Sequence, residues 1–467
     1  MAKEASLNLI ESSHSIGKTI WTLSWPVILD QSFNTMVQYV DSAMVGSLGA
    51  VATAAVGSNS STIWLVNGIM YAFGLAFSVF AARQIGSKDQ KAVHHTVRQS
   101  LIALMAFSIV VTTIMNSVAY RLPLWIGVDK AVIPQSIDYI STIAKAYPFT
   151  ITIAFLANLM RSSGDTRSPM MANIITNVAN IIGNFFLIYP CRVVSIGNKS
   201  LNIWGANLGV KGAAIATAAS SALSALILII ILFAKKGPLK TPVFNVDWRV
   251  DWPFMKKVFN LGLPLAFERA TLNIGQIVLT VLVTKIGTTA LASHHLAVTA
   301  ESVTYMPVSG FAMAATALVA QSLGAQRSDL AKEFAKGTLK WAIVFMSCAG
   351  LFLFLFSTQL MRVFTADKEV IALGARVLRI EAFAQPFFAM SIVGGGILRG
   401  AGDTKWPFIN SVIGMWVVRL FPASILIIFF NASLEVAWMC MVADLIVRGL
   451  LNFYRYKKGS WVDSWKG

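Results

Sequence analysis

Charge is scarce in this chain, and acid scarcer still: of 467 residues 13% are charged, 21 of them Asp or Glu against 38 Lys or Arg. So few charges could not cover a soluble protein of this length, and 56% hydrophobic residues with a mean hydropathy of +0.67 leave a bilayer as the solvent. Cysteine is nearly absent. Cys191, Cys348 and Cys440 are scattered and odd in number, which argues against a disulfide framework or a thiolate metal site. No His-x-x-x-His or Cys-x-x-Cys spacing occurs, and the adjacent His294 and His295 point to different helix faces, so no metal site is expected. His94 and His95 fall in a basic loop and read as solvated. The glycine run Gly394–Gly396 lacks the strand and lysine of a phosphate loop, which excludes nucleotide-driven work and leaves close helix packing as its use. The opening MAKEASLNLIESSHSIGKTI is too polar for a signal-peptide core, so the first hydrophobic helix is expected to be retained.

What is present is length in apolar runs. Segments of about 20 residues or more, enough for a helix to cross a bilayer, recur at roughly 17–46, 56–83, 97–120, 138–160, 169–190, 209–234, 255–284, 293–322, 337–358, 377–398, 406–430 and 432–455. An all-α integral membrane protein with twelve transmembrane helices is predicted. The formal charge of +17 is not a nucleic-acid signature, because the bases gather in alternate loops. Arg83, Lys88, Lys91 and Arg98 form one group; Lys235, Lys236, Lys240, Arg249, Lys256 and Lys257 form another; the loops between hold few. That asymmetry places both termini in the cytoplasm of a plasma-membrane protein.

Arg161–Pro169 reads RSSGDTRSP, and Arg399–Pro407 reads RGAGDTKWP, 238 residues on (399 minus 161). The same offset aligns Pro26 with Pro264, Asp30 with Glu268, Gln38 with Gln276, Gly49 with Gly287, Gly86 with Gly324, Pro148 with Pro386 and Asp165 with Asp403. The chain is therefore two pseudosymmetric six-helix lobes, 1–235 and 255–467 with a cytoplasmic tail, joined by an interfacial linker at 236–254. Six crossings each give both copies one orientation, about an axis along the membrane normal. Register is lost only after the fifth helix, where the first half carries the longer loop Cys191–Leu208. In the repeated motif the glycine allows a tight reversal, the Asp or the following Thr caps the next helix, and the arginine anchors the turn at the cytoplasmic face. A topological turn and a gate between the fourth and fifth helices both fit.

An ionisable group at mid-bilayer costs at least about 2.5–3.5 kcal/mol and belongs in a bundle interior or a wet cavity. Asp30, Asn34, Gln38 and Asp41 lie on one face of the first helix, and Asn173, Asn177, Asn180 and Asn184 repeat the device on the fifth. These stripes are expected to face each other. A carboxylate among amides and apolar walls is disfavoured as a bare charge and becomes an acceptor of a proton or cation. Asp41, deeper than Asp30, is the sharpest candidate; helix–helix hydrogen bonding is the alternative for it and for the asparagines. The second half has no such amide stripe. It carries Glu268 with Arg269, Glu301, Glu381 with Arg376 and Arg379, Arg419 and Asp444, read either as an ion-pair network or as mutual salt bridges. Pro26, Pro148, Pro264 and Pro386, in or near membrane helices, allow bending or a static kink.

These residues carry a resemblance. YVDSAMVGSLG with Asp41, the twin MRSSGDTRSP and LRGAGDTKWP turns, GLPLAFE with Glu268, and the FAARQIG and ALVAQSLGA helix ends resemble the multidrug and toxic compound extrusion (MATE) family over nearly the whole chain. The resemblance implies two lobes around a central cleft and a secondary antiporter, not an enzyme. It would export cationic amphipathic compounds in exchange for H⁺ or Na⁺, with no cofactor, as a monomer in the bilayer. It matches Asp41 to the family's first-lobe acid, Glu268 to its second-lobe acid, and Tyr139 and Asn180 to positions lining the first lobe; with the polar stripes, this makes Asp41, Glu268, Asn180, Asn184 and Asp30 the ion-coupling candidates and Gln38, Asn34, Tyr139, Asn177, Glu301, Glu381 and Gln276 the cleft candidates. Two departures stand out: some relatives carry a second first-lobe carboxylate where this chain has Asn184, and Glu268 stands one helical turn from the seventh-helix glutamate of sodium-driven relatives. The rival reading is a flippase for a lipid-linked oligosaccharide or peptidoglycan precursor, which needs a strongly cationic cleft; the membrane bases Lys145, Arg269, Arg376, Arg379 and Arg419 are few for a diphosphate. An intramembrane enzyme would need a convergent constellation, and Asp30 and Asp41, eleven residues apart on a helix, stand about 16 Å apart.

Overall fold

The computed structural model describes residues 15–196, 199–241 and 248–465. Its helices are α1 (Ile16–Gly46), α2 (Ala50–Gly86), α3 (Gln90–Ala119), the short α4 (Leu122–Ile126), α5 (Ile133–Ser162), α6 (Arg167–Leu187) and α7 (Gly209–Ala234) in the first lobe. The second lobe has α8 (Trp252–Thr284), α9 (Thr288–Gly324), α10 (Ser328–Phe364), α11 (Lys368–Ala382), α12 (Gln385–Gly400), α13 (Lys405–Val412), a π-helical segment Ile413–Leu420, α14 (Phe421–Phe430) and α15 (Leu434–Lys458). Twelve crossings result when α11 with α12, and α13 through α14, each count as one. Nine described helices are long and apolar enough to span a bilayer, or ten with the bent α11–α12 pair. The two crossings outside that count, α1 and α15, are the ones that carry Asp30 with Asp41 and Asp444 with Arg448.

Three features depart from a plain reading of apolar runs. The segment expected as one helix over 377–398 is two, bent by 58° between α11 and α12. Pro386 at the start of α12 explains the break, since proline has no N–H to give the preceding turn and its ring crowds it. Pro26, Pro148 and Pro264 instead sit inside the continuous helices α1, α5 and α8. The longer loop of the first half folds as an antiparallel hairpin, β1 (Pro190–Ile196) with β2 (Lys199–Ala206), pairing Arg192 with Ile203. Of the linker expected over 236–254, residues 242–247 lie outside the described ones, and α8 already begins at Trp252, where the Asp251 side chain accepts from Phe254 N.

Each lobe's first helix joins the other lobe's core. Ile20 and Leu23 of α1 lie in a cluster with Val308, Phe311, Leu318, Phe334 and Met346 of α9 and α10. Reciprocally, Met255, Val258, Leu261 and Leu265 of α8 join Phe73, Phe77, Phe80, Phe155 and Leu159 of α2 and α5. The exchange puts apolar area of both lobes under one another on the face where Trp465 lies against Arg83 and Phe80.

On that face α2 and α9 cross at their C-terminal ends. A Cβ built on Gly86 would lie 2.0 Å from the Gln321 carbonyl oxygen, and one on Gly324 would lie 1.9 Å from that of Arg83. Gln321 stands 238 residues after Arg83, as Gly324 does after Gly86, so the crossing sits on the pseudosymmetry axis. Only glycine permits this backbone approach. Gln321 Nε2 adds a 2.6 Å bond across the lobes to the carbonyl of Ser162. Gly86→Val or Gly324→Val should therefore force the two helix ends apart and cost about 1–3 kcal/mol. A scanning unfolding experiment on the purified variants should show a midpoint several degrees lower; an unchanged midpoint would contradict the contact.

Candidate functional site

The twin turns place the first charges. Gly164 (φ +90°) and Gly402 (φ +88°) adopt the left-handed conformation that closes each reversal. Asp165 Oδ1 accepts from Ser168 N at 3.1 Å, and Asp403 Oδ1 from Trp406 N at 3.4 Å, so the aspartates cap the following helices. Lys235 reaches Asp165 at 2.7 Å and Arg455 reaches Asp403 at 2.8 Å, each from its lobe's last helix. The motif arginines, expected to anchor the turns, pair with carboxylates of α1 and α8. Arg161 turns inward to Asp30 at 2.7 Å, and Arg399 to Glu268 at 2.5 Å. Both pairs span 131 residues and both carboxylates are buried, so the duplication has copied one acid–guanidinium lock into each lobe. Arg269, the sequence neighbour expected to accompany Glu268, lies over the ring of Tyr71 instead.

The two polar stripes of the first lobe do face each other. Asn173 Nδ2 donates to Asp30 Oδ1 at 2.5 Å and to Asn34 Oδ1 at 2.9 Å, and Asn177 Nδ2 donates to Asn34 Oδ1 at 3.0 Å. At the other end of the seam, Asn184 Nδ2 donates to Asp41 Oδ1 at 2.7 Å and to Asn180 Oδ1 at 3.2 Å. The Asn180 amide fits two ways. One has its nitrogen 3.3 Å from Thr217 Oγ1; the other points the nitrogen at Asp41, 2.9 and 3.1 Å from its two oxygens, and accepts from Thr217. Thr217, on α7, is a member of the site that sequence reading missed; the helical pattern of α7 gives no hint of which partner it meets. Tyr139 of α5 packs on the cluster that contains Val45 of α1, one turn on from Asp41. Asp41 itself is half-buried, with Asn180 and Asn184 buried behind it.

Asp30 and Asp41 are thus in different surroundings: a guanidinium holds the first, amides the second. Gln38 is exposed beside the seam and Gln276 half-buried in the equivalent place on α8, and neither joins the Asp41 cluster. In the second lobe Glu301 and Glu381 are buried together near Arg419, at the end of the π-helical segment. Arg376 and Arg379 do not accompany Glu381 as their sequence proximity suggested: Arg376 pairs with Glu435 at 2.9 Å, and Arg379 donates to Ser357 at 3.0 Å. Offsets of five and two residues along α11 turn these side chains to a different helix face from Glu381, which a count of neighbours in sequence ignores.

The matching family model covers residues 26–186 and 264–425, one match per lobe, and is described as MatE. The chain belongs to the MATE family. A probable multidrug resistance protein NorM of Thermotoga maritima is 27% identical over 457 residues, covering 97% of this chain and 94% of that one. A multidrug resistance protein MdtK of Proteus mirabilis is 26% identical, covering 86% of each. Among solved structures, a MATE protein in complex with MaL6 superimposes with a TM-score of 0.89 at 20% identity over 100% of both chains. An outward-facing MATE-family transporter of the MOP superfamily gives 0.89 at 19%, over 99% and 100%. This MATE fold of twelve helices in two lobes is the one read from the repeat.

The locks are testable apart from any activity. Arg161→Ala leaves Asp30 buried without its cation and should cost about 3–5 kcal/mol, and Arg399→Ala should do the same to Glu268. Adding Asp30→Asn to Arg161→Ala should return part of the loss, read as a partial recovery of the unfolding midpoint in detergent. No recovery would mean that Arg161 acts through packing alone.

Proposed function

We propose that this MATE-family chain is a monomeric secondary transporter of the plasma membrane that exports small organic cations in exchange for protons, with Asp41 as the first-lobe acid at which proton and substrate compete. The observation that carries it is a difference among the membrane acids. Asp30, Glu268 and Asp444 are each neutralised by arginine, whereas Asp41 is held by amides alone and stays half-exposed. An acid fixed by a guanidinium cannot trade its partner cheaply. One held by neutral donors can take either a proton or a cationic ligand.

The Asn180 amide answers to the charge on Asp41: both ends are satisfied when its nitrogen donates to the Asp41 oxygens at 2.9 and 3.1 Å and its oxygen accepts from Thr217, and a protonated Asp41 would turn it over to accept instead. Loading the acid thus has a local consequence, felt next at Thr217 on α7. The multidrug-resistance names of the relatives support drug export, and the basic loops beside the termini support their cytoplasmic placement. Against a lipid-diphosphate flippase stands the fate of the bases: among the described membrane residues Arg161, Arg399 and Arg419 are already neutralised by carboxylates, which leaves them no charge to offer a pyrophosphate.

In liposomes preloaded with a fluorescent organic cation, an imposed pH gradient should drive movement in wild-type protein and a sodium gradient should not. Asp41→Asn should reduce gradient-driven transport at least tenfold while the protein still inserts. Lowering the pH should weaken binding of the cation to wild-type protein, because the proton occupies the same carboxyl, and should leave Asp41→Asn binding unchanged. Transport on a sodium gradient alone, or undiminished transport in Asp41→Asn, would overturn the reading.

A further inference from the structure

The first-lobe turn opens on a cavity that the Asp41 seam does not use. About 140 Å³ lies between the α5–α6 turn, the first turns of α1 and the end of α7, with Gly164, Asp165 and Arg167 on one side, Thr22 on another and the chain from Lys235 to Lys240 as the remaining wall. Drug-sized sites run to roughly 300–1,000 Å³, so there is room here for a small charged group and not for a transport substrate. The wall is fixed. Gln90 Nε2 of α3 donates to the Pro238 carbonyl at 2.6 Å, Leu239 and Thr241 are buried, and Lys235 Nζ donates to Asp165 Oδ2 at 2.7 Å and to Ser168 Oγ at 3.1 Å.

The charge around the cavity is one-sided. Four bases line it, Arg167, Lys235, Lys236 and Lys240, against one acid, Asp165, an excess of three (four minus one). Asp165 is already engaged by Lys235 and by the Ser168 N–H. Lys236 and Lys240 are exposed and meet no carboxylate among the described residues. The Arg167 guanidinium lies over the ring of Trp25 at 5.8 Å, which keeps it beside α1.

The surroundings are those of a bilayer boundary. Beside the lining residues on the same helices, Trp21 of α1, Met171 of α6 and Ile230 of α7 each leave more than half of their surface exposed. An apolar surface thus runs into the hydrocarbon from a basic cavity, and tryptophan next to arginine and lysine marks the headgroup level. Basic pockets between membrane helices are where lipid phosphates bind.

In the second lobe the chain itself covers the equivalent turn. Arg455 takes Asp403 as Lys235 takes Asp165, but the residues that follow fold back: Trp461 is buried, and a Cβ on Gly402 would stand 2.6 Å from the Trp465 ring. The stretch after Lys235, KGPLKT at 236–241, has no aromatic residue to cover Gly164 in that way. One turn is sealed by tryptophan, and its copy is left open and positively charged.

We propose that this cavity binds the phosphate headgroup of an anionic phospholipid, with Lys236, Lys240 and Arg167 as its cationic contacts and the acyl chains lying along Trp21, Met171 and Ile230. A phosphate supplies the acceptors that Asp165 alone does not offer these ammonium and guanidinium groups. The basic loops on this face support the cytoplasmic leaflet as its source. The lipid is a boundary companion and not a transported molecule. Its headgroup ties the end of α7 to the turn whose Arg161 holds Asp30.

The test follows unfolding of purified full-length protein in a neutral detergent with phosphatidylglycerol, with phosphatidylcholine of the same chains, or with glycerol 3-phosphate at equal concentration. Phosphatidylglycerol should raise the wild-type midpoint by several degrees, because a ligand of the folded state stabilises it by mass action. The concentration giving half of that rise should increase about tenfold or more in Lys236→Gln/Lys240→Gln. Lys332→Gln/Lys336→Gln, an exposed pair at the start of α10 with the same change of charge, should keep the wild-type response. Native mass spectrometry should retain one phosphatidylglycerol on the wild type under conditions that strip it from Lys236→Gln/Lys240→Gln. An equal rise with phosphatidylcholine would show a general lipid effect, an equal rise with glycerol 3-phosphate would give the cavity to a soluble phosphate, and an equal loss in both variants would mean diffuse surface attraction. Each of these would overturn the proposal, and none of the readouts depends on Asp41 or on transport.

Discussion

A carboxylate inside a bilayer must be neutralised by something, and the choice of neutraliser organises this molecule. Where an arginine serves, the result is a fixed structural joint: Asp30 with Arg161, Glu268 with Arg399, and Asp444 with Arg419 and Arg448. Where no arginine serves, the acid needs a mobile partner. Asp41, held by amides alone, is such a place in the described bundle. The same cost that makes buried charge rare thus separates scaffold from working parts.

The duplication illustrates the division. Scaffold elements are kept in both copies, including the acid–arginine lock across 131 residues, the glycine turn with its capping aspartate, and the reciprocal approach of Gly86 and Gly324 at the α2–α9 crossing. Chemistry is not kept. The asparagines of α6 have no counterpart in the second lobe, and Arg419 occupies the place of Ile181. Two copies packed about one symmetry axis need matching joints, but a transporter has no need for the same ligand site twice.

Much of this was legible in the sequence because its signals are periodic. Helix-length apolar runs, a constant 238-residue offset and helical spacing of Asp30, Asn34 and Asp41 against the α6 asparagines each encode a geometry that local physics enforces. The first-lobe seam followed from that spacing. What stayed hidden was long-range pairing. Nothing local tells that Arg161 folds inward, that Arg376 and Arg379 leave Glu381 for other partners, or that Thr217 on an unrelated helix completes the Asp41 site. The break before Pro386 was signalled by the proline, yet Pro26, Pro148, Pro264 and Pro307 lie in unbroken helices, so the residue type alone did not decide it.

The account turns on Asp41 giving up its proton when a cationic substrate arrives. Adding a lipophilic organic cation to weakly buffered, purified protein and following a pH indicator measures that exchange directly. The account predicts proton release that saturates with binding and vanishes in Asp41→Asn. Binding without release in the wild type, or equal release in the variant, would contradict it.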